Sequence, residues 1–156
     1  MFSPYFRAAG LTVAAALFFV CPPTRAIAQD ANRDTVYTKT DVGDLVQRVA
    51  KRSGDFKSAF NHAVEHTMEG SKLEERAKHR ADDLHDAAKK LQDVFGDKKD
   101  KNNPAVRDRV DKTLAMGSEL STVMKEHRFT DKLQQDWDLL RSDLNALAAV
   151  YGLSPM

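Results

Sequence analysis

The sequence predicts an all-α protein: an antiparallel four-helix bundle of up-down-up-down topology. Three observations carry this expectation. From Asp41 onward, apolar residues recur at steps of three and four, the period of one helical face. No stretch alternates apolar and polar residues for long, so no strand is expected. Turn-forming residues at Gly70, in the run GDKKDKNNP (96–104) and near Thr130 cut the pattern into four segments of similar length. Short connections between helices of matched length favour antiparallel neighbours.

The first helix is expected over about 41–69. Its apolar row is Val42, Leu45, Val49, Phe56, Phe60, Ala63 and Val64. Gly54 interrupts the row and lowers the local helix propensity. Gly70 can adopt the left-handed cap that ends a helix. The second helix is expected over about 71–95, opening on Ser71 with Glu74 three residues later, a capping box. Its row is Leu73, Ala77, Ala81, Leu84, Ala88, Leu91 and Phe95, and Gly96 is expected to stop it.

The third helix, about 104–128, restarts after Asn103 with Pro104, a residue favoured at the first helical position. It carries Val106, Val110, Leu114, Gly117, Leu120 and Met124. The fourth, about 131–151, is capped by Thr130, with Asp131 favourable in its first turn. Its row is Leu133, Trp137, Leu140, Leu144, Leu147 and Tyr151, closed by Gly152 and Pro155. The aromatic residues Phe56, Phe60, Phe95, Trp137 and Tyr151 all fall on core rows. The second and fourth rows step near the spacing of an extended coiled coil, but three interruptions would break long rods. The bundle is therefore expected to occupy 41–153.

Residues 1–28 read as a cleaved secretory signal. Arg7 is followed by an uncharged run from Ala8 to Pro23 and then by the small-x-small triplet Ala26-Ile27-Ala28. The apolar run is short for a membrane span. Cleavage after Ala28 leaves a mature chain starting at Gln29, with 29–40 as a flexible leader and no integral membrane span. The alternatives are retention as an anchor, or lipid attachment at Cys21, which is preceded by Val20 rather than a small residue. A periplasmic or secreted location follows from the cleaved reading.

Cys21 is the only cysteine and departs with the signal. Cysteine catalysis, disulfides, thiolate metal sites and covalently attached haem are thereby excluded from the mature chain. The whole chain has 24 Lys+Arg and 23 Asp+Glu. Losing Arg7 and Arg25 leaves it near neutral, with no electrostatic case for nucleic acid.

The stretch HAVEHTME, His62 to Glu69, contains the H-x-x-E-H spacing of one class of zinc peptidase. Two histidines four apart share a helix face and can share a metal. Glu69 lies one turn beyond Glu65. His62, His66 and Glu69 are accordingly the candidate metal ligands, for zinc or copper. Relative to the Val49/Phe56/Phe60 row, these residues fall roughly 100° to 200° around the helix, on its wet face. A small bundle is expected to offer little cleft, so no catalytic residues are assigned.

Other polar groups read structurally. His79, Asp82 and Asp86 share an exposed face of the second helix, with His85 to one side. His127 ends the third helix, where a protonated ring suits the last carbonyls. Arg52 and Arg80 flank core rows and are expected to snorkel, stems on the core edge and charges in water; the alternative is a pair with a facing acid. The run GDKKDKNNP has lysines where a calcium loop needs ligands and lacks the central glycine, so it reads as a solvated loop.

In layout the chain resembles the cytochrome b562 type of exported bundle. That family takes its haem from a methionine near the mature N-terminus and a histidine in the last helix. Here the last helix has no histidine, and the first methionine after the signal is Met68. The resemblance therefore implies architecture and no haem. The closing WDLLRSDLNALAAVYGL, with AAKKLQDVFGD earlier, resembles small exported bacterial helical-bundle proteins of unknown function, which implies no activity. The expected function is a non-catalytic bundle of the cell envelope, acting on an unknown protein partner as an interaction or scaffold protein. The alternative is a metal- or small-ligand-binding bundle using His62, His66 and Glu69.

Overall fold

Each of the four apolar rows folds as one α-helix. The computed structural model describes residues 39–67, 72–98, 100 and 102–156, all within the unit Thr35–Met156. The signal (1–28), most of the leader, and Glu69, Gly70 and Ser71 lie outside the described residues. The helices are α1 (Lys39–Thr67), α2 (Lys72–Lys98), α3 (Pro104–Glu126) and α4 (Asp131–Val150). Among the described residues there is no strand. None of these helices is long and apolar enough to cross a membrane.

The ends of the helices follow local chemistry. The Asn103 side chain accepts from the Ala105 N–H at 2.9 Å, with Pro104 opening α3. Thr130 Oγ1 accepts from the Leu133 N–H at 3.3 Å and caps α4. At the far end of α4, Gly152 adopts φ 59°. Leu153 N–H then donates to the Ala148 carbonyl at 2.9 Å and Gly152 N–H to that of Ala149 at 3.2 Å. These two bonds form a Schellman closure, which needs a residue at ease in the left-handed region. Gly96, in contrast, does not stop α2. It lies inside the helix with open space where a side chain would be. Glycine weakens a helix without obliging it to end, and α2 continues two residues further, to Lys98.

Packing closes a ring: α1 on α2, α2 on α3, α3 on α4, and α4 back on α1, while the diagonal pairs make no close approach among the described residues. Neighbours run antiparallel, because partner positions fall in one helix as they rise in the other. Between α1 and α2 the sequence is Gly43 beside Phe95, Ser53 bonded to His85, Lys57 paired with Asp82, and Glu65 paired with Lys78. Between α1 and α4, Arg52 meets Asp143, Phe56 meets Trp137, and Phe60 meets Phe129.

The apolar rows supply the core. Phe60, Leu91, Val106, Leu120, Leu140, Leu144 and Leu147 are wholly excluded from solvent, and Trp137 nearly so. Phe56 stacks on Phe60 at 5.4 Å and meets Trp137 in a tilted contact at 5.4 Å. Leu73 departs from its expected place and is 53% exposed. It sits in the first turn of α2, at the rim of the bundle, where α3 covers only one side of it.

Arg52 and Arg80 each pair with a facing acid while staying partly in water. The Arg52 guanidinium lies 2.6 Å from Asp143, which is buried on α4 and also faces Arg48 at 3.6 Å. Arg80 is ion-paired with Glu119, joining α2 to α3. In both cases a facing acid stands within reach of the guanidinium, and a partly desolvated carboxylate is less costly when paired with a cation than when left alone.

Gly54 also has a packing role. A Cβ there would stand 3.0 Å from His85 Cε1, so the missing side chain makes room for the imidazole between α1 and α2. His85 Nδ1 lies 3.1 Å from Ser53 Oγ, whose proton is donated to the Ala50 carbonyl at 2.9 Å. With that proton committed, the neutral ring completes the pair as the Nδ1–H donor.

Candidate functional site: a groove at the open end of the bundle

The C-terminal turns of α1 and the N-terminal turn of α4 meet at one end of the bundle. Residues 127–130 link α3 to α4 there. An open groove of about 670 Å³ lies between them, lined by His62, Ala63 and His66 from α1 and by Arg128, Phe129 and Leu133 from the other side. This is the cleft the sequence was not expected to hold. It arises because Ala59 and Ala63 are small where α1 faces the linker, so the side chains of α1 do not fill the angle between the helices.

His62 and His66 are both exposed, as their helical phase requires. Their rings lie together, with centroids 4.6 Å apart. Glu69, the third candidate ligand, lies outside the described residues. Glu65, the acid inside H-x-x-E-H, points elsewhere. Lys78 of α2 holds it at 2.8 Å and is itself held by Glu74 at 2.9 Å. The hydrogen bond and charge of Lys78 keep the Glu65 carboxyl below the usual carboxylate range, and the same two acids raise Lys78. A carboxylate committed to an ammonium is a poor general base, so the peptidase reading of the string loses its glutamate to the α1/α2 seam. Among the described residues, no group of three or more His, Cys, Asp or Glu is placed to hold a metal.

The groove itself has a two-part character. Its floor is apolar: Phe129 is half-buried against Phe60, ring centroids 5.2 Å apart, and Leu133 is buried. Its rim is mostly basic. Arg128 is exposed and makes no ion pair with another described residue. Lys132 is exposed and reaches Asp136, the one acid among the described lining residues, at 3.3 Å. The start of α4, whose partial positive charge Asp131 offsets in its first turn, lies at the same rim.

The remaining histidines serve the frame. His79 is exposed on α2, 3.9 Å from Glu75. His127 is the C-cap of α3, its backbone N–H donating to the Val123 carbonyl at 3.2 Å. His85 is half-buried, and burial, helped by Lys57 and Lys89 and opposed by Asp86 and Asp82, lowers its pKa from 6.5.

The groove was missed because its parts are distant in the sequence. One signal was available: Phe129 is an aromatic residue in a short linker between two helices, outside every core row. An apolar ring in such a place must either pack back on the bundle or line a surface, and here it does both. Compared with protein-family models, with curated proteins and with solved structures, the chain has no match.

Proposed function

We propose that this chain is an exported, non-catalytic helical-bundle protein of the bacterial cell envelope, acting by binding, with the α1/α4 groove as its docking place. The observation that carries this reading is the contrast between the groove and the paired charged groups along the helix seams. Glu65, Lys78, Asp143 and Arg52 are all spent on seams between helices. Arg128 and the His62/His66 pair are left facing an apolar-floored groove. Concave, largely apolar surfaces with a few polar groups at the rim are the usual form of binding sites.

Export rests on the order of Arg7, the uncharged run and Ala26-Ile27-Ala28. Its test is fractionation of producing cells with intact-mass measurement. The envelope fraction should hold a chain beginning at Gln29, and a full-length chain in the cytosol would contradict the reading. The docking role is tested by Ala63→Arg, which fills the groove from a half-buried position. That variant should keep the helical fold and lose association with the envelope partner.

The second reading is metal binding through His62, His66 and Glu69, favoured by the 4.6 Å separation of the two rings. Titration with zinc and copper tests it. Binding that survives both His62→Ala and His66→Ala would remove the site.

A further inference from the structure

We infer that the α1/α4 groove takes a single-chain amphipathic carboxylate, with its head at Arg128 and its apolar body along Ala63, Phe129 and Leu133; this rests on the reading of the groove as a docking place. Charge complementarity carries the choice of head group. Arg128 is a full positive charge with no ion-pair partner among the described residues. Lys132 stands on the same rim but is held by Asp136, and Asp131 occupies the first turn of α4, so Arg128 is the cation left to meet a head group. A guanidinium presents two parallel N–H donors that match a carboxylate.

The body follows from the floor. Phe129 is fixed from below by Phe60, and Leu133 belongs to the core row of α4. The floor is therefore rigid and apolar before anything binds, which limits the ordering cost of association. At about 670 Å³, the groove lies within the range of about 300 to 1,000 Å³ typical of small-ligand sites. His62 and His66 line its α1 side.

Calorimetric titration of the purified protein with decanoate, and with 1-decanol as the chain without the charge, tests the inference. Decanoate should bind saturably at one per chain. 1-Decanol should bind about tenfold more weakly, and Arg128→Ala should weaken decanoate by about tenfold, the scale of one charge-assisted hydrogen bond. Ala63→Arg should abolish binding, and Lys89→Ala, on the exposed side of α2, should leave it unchanged. Thermal unfolding of each variant shows that the fold is kept. Equal affinity for acid and alcohol, indifference to Arg128→Ala, or no saturable binding would each overturn the inference. Zinc binding through His62 and His66 without decanoate binding overturns it as well. A photo-crosslinker at Lys132 that captures an envelope partner while decanoate fails would leave the docking reading standing and this inference fallen. Absence of both removes the two together.

Discussion

Arg52 Nη1 lies 2.6 Å from Asp143 Oδ2, across the seam between α1 and α4. Asp143 is 8% exposed, and Arg48 approaches its other oxygen at 3.6 Å. The carboxylate is largely desolvated, and the two guanidinium groups are the cations that face it. Arg52 is still partly in water, which screens the pair and holds its worth between a surface and a buried ion pair. Arg52→Met is expected to cost about 1 to 2 kcal/mol, and Arg48→Met less than about 0.5 kcal/mol. The double variant Arg52→Met/Asp143→Leu should be more stable than the sum of the two single changes, because it leaves no orphaned charge. Urea unfolding of the wild type, the three single variants Arg52→Met, Arg48→Met and Asp143→Leu, and the double variant measures this.

Two adjacent leucines on α4 separate core from surface. Leu140 is fully buried, and Leu139 is 53% exposed. Leu140→Ala should destabilise by about 2 to 5 kcal/mol, combining lost transfer energy with a cavity. Leu139→Ala should stay within about 0.5 kcal/mol. Equal effects in denaturant unfolding would place the α4 row wrongly.

His85 gives the bundle a pH dependence. Its folded pKa is depressed below 6.5, by burial first and then by Lys57 and Lys89. Above 6.5 the ring is neutral in both states, and its contribution to stability is fully present. As the pH falls below 6.5 the unfolded chain takes up a proton that the folded chain resists, so stability is lost down to the folded pKa and is level below it. Urea midpoints at pH 7.5 and pH 5 should show the loss, and His85→Gln should flatten that part of the profile.

Tyr151 closes α4 with its hydroxyl buried and without a hydrogen-bond partner among the described residues. Burial, with a smaller effect from Asp100, pushes its pKa up from 10.0 to about 12. Ultraviolet titration should therefore show one tyrosine ionising near pH 12, and Tyr151→Phe should remove that step. The sign follows: the neutral phenol's contribution is complete below pH 10 and declines as the pH rises towards 12.

The core was legible because its signal is local. Rows such as Leu133, Trp137, Leu140, Leu144 and Leu147 repeat within one helix, and the structure buries all of them. The caps at Asn103, Thr130 and Gly152 were legible for the same reason: each acts on backbone a few residues away. Pairings between helices were not. Asp143 lies three residues after Leu140 and one before Leu144, so its phase alone required a cationic partner, but nothing local names Arg52. Gly54 read as a weak point because its propensity is local, while its use, space for His85, comes from 31 residues away on another helix. The groove is the extreme case, since Ala63, Arg128 and Leu133 meet only when the ring of helices closes.

The central claim is that the α1/α4 groove, rather than the rest of the surface, is where this protein meets its partner. Site-specific photo-crosslinking in the envelope tests it most directly. The crosslinker is placed at Lys132 on the groove rim or at Lys89 on the exposed side of α2. A discrete adduct from Lys132, absent from Lys89 and lost on adding Ala63→Arg, is the predicted result. Adducts of equal yield from both positions, or from Lys89 alone, would contradict it.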